Sequence, residues 1–505
     1  MNRYDVIVIG GGLLGCFAAR NLTRYKLKIA LLERREDLCT GISRANTAIV
    51  YSGYDMKPGT LKAKMCVQAA QGFGELCAEL GVRYSPCGSV MVCFGPRGAK
   101  ILRQKYEQGI ENGVQGIRLL NPQEVLELEP NLNPRVVLGL YAPEAGTVIP
   151  WELGIAAAEN ALQNGADILL NSEVTDITPL ENGFKVSCGS QTFWTRGIIN
   201  CAGLAADEIL EKVSSPKIRI FPSGGDYLVL DTKAGGYIRH VIFHEPEQKG
   251  KGLTLVPTVE GNILLGPSEV PIEDKDSFAT SSEGLAEIKA LVSEVIPSLP
   301  LEHVIRSFGA IRPNPYWVHL DPLSGRYVPE DKGINSFTIL ESSPGPFLSL
   351  IGIKTPGLTC ANELGKYVAN KMAEALGDVV PNPAFNPKRP APLRLNDLPL
   401  AQRARLVEEN PLYGKIVCRC RKITEGEIVD SIRRKPGAVT IDGVKRRTGS
   451  GTGRCQGSFC TQRIIEILAR ELGCSPAEIC KDGKGSYVIR NMGNSSSGKK
   501  ATRND

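Results

Sequence analysis

The chain has 505 residues, enough for two or three domains and a large core. Apolar residues make up 42% and charged residues 23%, the balance of an ordinary globular protein, and a formal charge of +6 is too small for this length to point to nucleic acid. No apolar stretch is long enough to span a bilayer, and the first four residues run straight into a strand, leaving no room for a signal peptide. Fifteen cysteines in such a chain imply a reducing compartment, so the expected location is cytoplasmic.

In chain order, the apolar run 5–9 is followed by Gly10, Gly12 and Gly15, a helix over about 13–25, and a second apolar run, 28–33, closing on Glu33. Strand, Gly-rich turn, helix and strand ending in an acid are the dinucleotide fingerprint in its required context. The glycines let the backbone approach a pyrophosphate at the helix N-terminus, and Glu33 stands where a carboxylate accepts from a ribose diol. A polar loop follows at 41–46, and 61–80 has helical periodicity. An Ala-rich helix spans 151–164, then come a strand at 167–170, the segment 173–179 that holds Val174, and a buried strand at 196–203 ending in a turn. Between 217 and 340 short strands divided by Gly and Pro, interrupted by one helix at about 282–295, read as an inserted antiparallel sheet. A strand at 347–352, the turn 355–357 and a helix at 361–376 restore the α/β pattern. The proline-bearing stretch 378–399 reads as a linker, a compact cysteine unit spans about 413–473, and the end from 494 is a polar tail.

Three small-residue segments suit a flavin more than a nicotinamide. Ser43, Arg44 and Asn46 follow the second strand, where small polar groups bond a pyrophosphate and ribityl chain. Cys201 and Gly203 lie in the turn where a strand end passes a bound dinucleotide. Gly352, Gly357, Leu358 and Thr359 precede a helix, and their amides face the pyrimidine edge of an isoalloxazine, where negative charge builds on reduction.

Taken over residues 1–380, the motifs GGGLLG (10–15), SRANTAIVYSGYD (43–55), GGDYLVLD (224–231), PTVEGNILLGPS (257–268), FGAIRP (308–313) and GIKTPGLT (352–359) resemble the D-amino-acid-oxidase-like superfamily of FAD enzymes. They look most like its branch of glycerol 3-phosphate dehydrogenases and L-2-hydroxyglutarate oxidases. The resemblance implies an α/β fold in three parts. These are a Rossmann-like FAD domain (about 1–80, 145–215 and 340–380), an inserted antiparallel-sheet substrate domain (about 81–144 and 216–339), and a small helical C-terminal domain. It also implies that Arg312 meets an acidic group of the substrate, a role that suits a planar guanidinium. Relatives often carry His where this chain has Tyr51, and a basic residue before the Gly-Gly-Asp step that is lacking here. Of the four histidines, His240 and His244 lie in the stretch HVIFH and share one face if it is a strand. With Tyr51, Tyr227 and Lys354 they form the set of candidate proton acceptors.

The second strong signal is Cys418, Cys420, Cys455 and Cys460, in the pattern CxC…CxxxxC. A helix from Thr424, where Glu427 completes a capping box, and a helix from Thr461 frame the motif. Four thiolates suit zinc or an iron–sulfur cluster, and CxC fits a zinc knuckle poorly. Residues 411–472 hold 13 Lys/Arg against 6 Asp/Glu, which stabilises a net-negative centre. The unit resembles the bacterioferritin-associated-ferredoxin-like [2Fe–2S] domain, which is also appended to the large subunit of anaerobic glycerol 3-phosphate dehydrogenases. The expected layout is 1–380 oxidoreductase, 381–411 linker, 412–480 cluster domain and 481–505 tail. The expected function is oxidation of a small anionic secondary alcohol, glycerol 3-phosphate first and a 2-hydroxy acid second. Electrons would pass from FAD to the cluster and on to a partner flavoprotein or acceptor subunit. Through that partner the chain would meet a membrane, if at all. Two alternatives are an amine or imino-acid dehydrogenase subunit and a non-catalytic electron-transfer subunit.

Overall fold

The computed structural model describes residues 2–245, 252–342 and 345–489. The chain divides into two compact units, Met1–Ala391 and Pro392–Asp505. In the first unit the strand Asn2–Ile9 is central: it pairs in parallel with Ile29–Leu32 on one side and Gln191–Asn200 on the other. Apolar residues fill it because both sheet faces are covered. The strands Asp167–Leu169 and Phe347–Ile351 extend the sheet in parallel, while Asp176–Leu180 and Gly183–Cys188 add an antiparallel edge. The helices Leu13–Leu22, Pro150–Gln163 and Ala361–Leu376 pack on one face around Phe17, Leu22, Val368 and Met372. Phe184, Phe193 and Phe347 fill the other.

The inserted sheet has ten strands. Its spine is the long pair Ile218–Leu230 and Val304–Leu320, antiparallel over thirteen paired positions. The expected antiparallel pattern holds except at one place, where Val241–His244 runs parallel to Ser89–Cys93. That is where the two chain segments that build the sheet meet, so no hairpin dictates their sense. The helix Ser282–Val295 covers one face, docked by the Asp226 carboxylate, which accepts from Ser281 Oγ at 2.7 Å and from Ser268 Oγ at 3.0 Å.

Three local expectations change. The helix over 61–80 is two helices, Leu61–Gln71 and Phe73–Leu80, broken at Gly72. The linker 381–411 is not a plain tether, since its second half holds the helix Leu400–Glu409. Its first part is strapped to the first unit. Asn382 donates to the Arg24 carbonyl at 2.6 Å, Asn160 Nδ2 to the Asn386 carbonyl at 3.0 Å, and Arg20 to the Pro387 carbonyl at 3.1 Å. Buried Arg389 closes the strap, bonding Glu159 Oε2 at 2.6 Å and the Leu80 carbonyl at 2.9 Å. The polar tail from 494 lies outside the described residues.

In the second unit Thr424 and Glu427 form the expected capping box at the start of Glu425–Arg433. Buried Glu425 accepts from Arg470 at 2.7 Å and Arg463 at 3.1 Å, tying that helix to Thr461–Leu472. The helix Ile441–Thr448 completes the bundle around Ile428, Val444 and Leu468. Among the described residues no helix is long and apolar enough to cross a membrane.

Removing one partner of a buried ion pair leaves an uncompensated charge. Arg389→Ala therefore lowers the unfolding free energy of the first unit by about 3–5 kcal/mol, whereas exposed Lys388→Ala changes it by less than about 0.5 kcal/mol. Urea unfolding followed by circular dichroism measures both.

Candidate active site and thiol centre

The first turn is built by contact. Gly10 has φ +103°, and a Cβ there would press on the Cys201 carbonyl; a Cβ at Gly15 would overlap the Gly10 carbonyl oxygen. The Glu33 carboxylate sits at the end of its strand and accepts from the Gly11 amide at 2.7 Å and the Arg35 amide at 2.8 Å. Burial pushes its pKa up, and those two amides oppose the shift. The helix Leu13–Leu22 begins at Gly12 without a side-chain cap, and Ser43 Oγ accepts from the Leu13 amide at 2.9 Å. Gly41 and Gly203 have open space where a Cβ would stand. A helix start without a side chain at its Gly12 cap, open glycines and a buried carboxylate beside them fit a dinucleotide.

The remaining residues of that set take several places. Cys201 is buried, with its backbone against Gly10. Val174 is buried in the core, one step beyond a stretch laddered to the acid's strand by Ser172 to the Glu33 carbonyl at 2.8 Å. Asn46 spends its side chain on its own loop, donating to the Ile42 and Ser43 carbonyls and accepting from the Ala48 amide at 2.8 Å. Arg44 lies over the Phe278 ring at 5.3 Å. Thr359 Oγ1 accepts from the Tyr51 amide at 3.0 Å, joining the loop 43–55 to the loop holding Gly352, Gly357 and Leu358.

The substrate-side residues converge. Strand pairing sets Tyr227 opposite Phe308 and Ser223 opposite Arg312, and the two-residue period puts all four on one sheet face. Tyr227 stacks on Phe308 with centroids 4.8 Å apart. Arg312 bonds Tyr227 and also acts electrostatically on Tyr51. Burial pushes both phenols up, so both stay protonated at neutral pH. Lys354 Nζ reaches Asn314 Oδ1 at 3.3 Å, and Asn314 Nδ2 donates to Ser223 Oγ at 2.9 Å. Arg312 has one ion pair across the site, with half-exposed Glu269 at 3.6 Å. Burial, and then the nearby Arg312 guanidinium, hold the Lys354 ammonium below the usual lysine range. Two neighbouring cations and one partly solvated carboxylate leave a positive surplus that suits an anion. Asn314, Ser223 and Glu269 were not anticipated; stepping by two from Arg312 along its strand finds Phe308 and Asn314.

The histidines are not brought to this face. His240, Ile242 and His244 share one side, as the alternation requires, but it is the opposite one. Ile242 packs in the core under the helix Ser282–Val295, while Val241 and Phe243 face Tyr51 and Tyr227. His240 is engaged by Glu129, Nδ1 to Oε1 at 2.8 Å, and buried His244 packs on Phe94.

In the second unit the four cysteines of the motif stand as two pairs. Cys420 and Cys455 sulfurs lie 3.5 Å apart. Cys418 and Cys460 are buried together, and the hydrogen bond from the Cys460 thiol, helped by the amides of Gly451, Arg421 and Cys420, draws Cys418 down to about 6 while Cys460 is pushed up. Cys418 also acts electrostatically on Cys420 and Cys455. Two adjacent pairs with amide donors around them fit a centre of two irons held by two thiolates each.

Substituting any one of Cys418, Cys420, Cys455 or Cys460 by Ser should drop bound iron from about two per chain toward zero and remove the visible iron–sulfur absorption. Cys474→Ser, outside both pairs, should leave both unchanged. Iron assay and absorption spectra of anaerobically reconstituted protein decide it.

The comparisons match both units of the chain to known families. The family described as FAD dependent oxidoreductase matches residues 5–371, and the BFD-like [2Fe-2S] binding domain matches residues 416–470. A glycerol 3-phosphate dehydrogenase of Caloramator mitchellensis is 40% identical over 486 residues, covering 96% of this chain and 98% of the relative. A glycerol 3-phosphate oxidase of Mycoplasma genitalium is 31% identical, covering 72% of this chain and 94% of the relative. The solved L-alpha-glycerophosphate oxidase of Mycoplasma pneumoniae, with FAD bound, superposes with a TM-score of 0.69 at 26% identity, covering 78% of this chain and all of that one. The chain therefore belongs to the FAD dependent oxidoreductases and carries a BFD-like [2Fe–2S] domain at its C-terminal end.

Proposed function

We propose that the chain oxidises the secondary alcohol of glycerol 3-phosphate and sends the electrons out through its cluster domain. The observation that carries this reading is the convergence of Arg312 and Lys354 on one face, with Glu269 as the counter-charge among the described residues. One arginine suffices for a carboxylate; a second cation beside it suits a phosphate dianion, which ranks glycerol 3-phosphate above 2-hydroxy acids and amino acids. The names of the Caloramator and Mycoplasma relatives support the same order.

When bound, FAD supplies a two-electron acceptor and the [2Fe–2S] centre a one-electron acceptor. Glu33 would hold the ribose diol, and the Gly12 turn at the helix start would receive the pyrophosphate beside Ser43. Arg312 and Lys354 hold the phosphate, with Asn314 orienting the lysine. The protonated phenols of Tyr51 and Tyr227 donate hydrogen bonds into the site and do not take a proton, so the hydroxyl proton of the substrate passes to water. Phe308 and Phe243 keep water from the flank. The chain works in the cytoplasm and passes its electrons to a separate flavoprotein or acceptor subunit.

Anaerobic titration tests the reading: glycerol 3-phosphate should bleach the flavin absorption and then reduce the cluster, while glycerol should not. Bleaching by an amino or imino acid in its place would overturn the substrate assignment. Arg312→Met and Lys354→Met should each lower kcat/KM by about a hundredfold, mostly through KM. The lysine is charged below its pKa, so anion binding weakens as pH rises through that depressed value. KM should therefore climb on the alkaline side, and Lys354→Arg should move that limb to higher pH.

A further inference from the structure

We infer that the outward edge of the thiol centre is the docking face for a separate, acidic, one-electron carrier protein. The inference rests on the reading above that electrons leave through this centre. Cys418 and Cys460 are buried, whereas Cys420 is exposed and Cys455 half-exposed, so one pair of sulfurs faces outward. Beside them Phe459 is 78% exposed, although burying such a ring is worth about 2–3 kcal/mol. An aromatic left in water next to a redox centre is what the middle of a protein interface looks like before the partner arrives.

The chain stretches that carry the cysteines have charge of one sign. Neither 415–424 nor 443–465 contains an Asp or Glu. On these stretches Lys415, Arg419, Lys422 and Arg454 are exposed. The two cysteine loops are pressed together, because a Cβ at Gly453 would strike Cys420 and approach Arg421, so their cations belong to one face. Residues 392–505 hold 22 Lys/Arg against 12 Asp/Glu, while 1–391 hold 38 against 42. An apolar centre within a cationic ring complements an acidic surface, which such a field also steers toward contact. An anionic bilayer would meet the same cations, but it would seal the outward sulfur pair from a soluble acceptor. The carrier takes one electron at each docking. The two electrons of one substrate molecule leave in two dockings, and its two protons go to water.

The probe is a plant-type ferredoxin, a small acidic one-electron carrier. Holoenzyme binding is read by calorimetry. Electron passage is read by stopped flow from reduced ferredoxin into the oxidised chain, so neither measurement needs glycerol 3-phosphate. The second-order rate should fall at least tenfold from low to high salt. Arg419→Glu combined with Lys422→Glu should lower rate and affinity at low salt at least tenfold. Phe459→Ser should lower affinity about tenfold and keep the salt dependence. In both variants iron content, the visible spectrum and flavin bleaching by glycerol 3-phosphate should match the parent. Unchanged binding and rate in the variants would overturn the inference. So would slower reduction of the cluster from the flavin with ferredoxin unaffected, which would make this the face for the first unit. Loss of binding to phosphatidylglycerol vesicles with ferredoxin unaffected would overturn it in favour of a membrane. If glycerol 3-phosphate fails to bleach the parent flavin, the substrate reading falls and the ferredoxin result still decides the docking face.

Discussion

The substrate face depends on the register between Ile218–Leu230 and Val304–Leu320. Side chains on a strand alternate, so a one-residue slip of Ile218–Leu230 would turn Tyr227 and Ser223 away from Arg312 and bring Asp226 to the Arg312 face. Asp226 guards against this from the far face: its carboxylate needs Ser268 and the start of the helix Ser282–Val295, and no other register offers both. The one irregularity in the ladder falls at Val229/Leu230, beyond the last residue of the site, where it does no damage. A polar anchor on one side thus fixes the face that carries Tyr227 and Arg312 on the other.

The two units treat charge in opposite ways. At the Gly-rich turn of the first unit a buried carboxylate is kept in place by backbone amides: Glu33 accepts from the Gly11 and Arg35 amides. At the substrate end two cations crowd together, and the repulsion is relieved by what binds between them. In the second unit the Cys418 thiol is stabilised by its neighbour Cys460 and by amides, while Glu425 joins two helices.

What was legible in the sequence was local. The Gly-rich turn with Glu33, the Thr424–Glu427 cap, the helices Ser282–Val295 and Ala361–Leu376, and the two cysteine loops each depend on residues close in the chain. The alternation of HVIFH was legible too, but not which side would face Tyr51 and Tyr227, because a strand buried on both faces has no polar side to mark it. Asn46 was misplaced for a related reason: a short amide serves its own loop as readily as a ligand, and spacing does not distinguish the two. The strap 382–389 was hidden because its partners, Thr23, Arg24, Glu159 and Asn164, lie more than two hundred residues away. Prolines there read as a tether, and only the buried Arg389 betrays a docked segment.

That strap has a consequence for synthesis. The central strand is made first and finds one neighbour at residues 29–32, yet its other neighbour arrives only at 191–200, the strand beyond that at 347–351, and the last buried ion pair at 389. A nascent chain must therefore hold one edge of its earliest apolar strand unpaired until about two hundred residues have been made, and the sheet stays incomplete until nearly the whole first unit has left the ribosome. The cluster unit, built from neighbours in sequence, can fold as soon as it emerges. Ribosomes stalled before residue 389 carry chains whose helices Leu13–Leu22 and Pro150–Gln163 still lack their cover, and such chains are natural clients for chaperones.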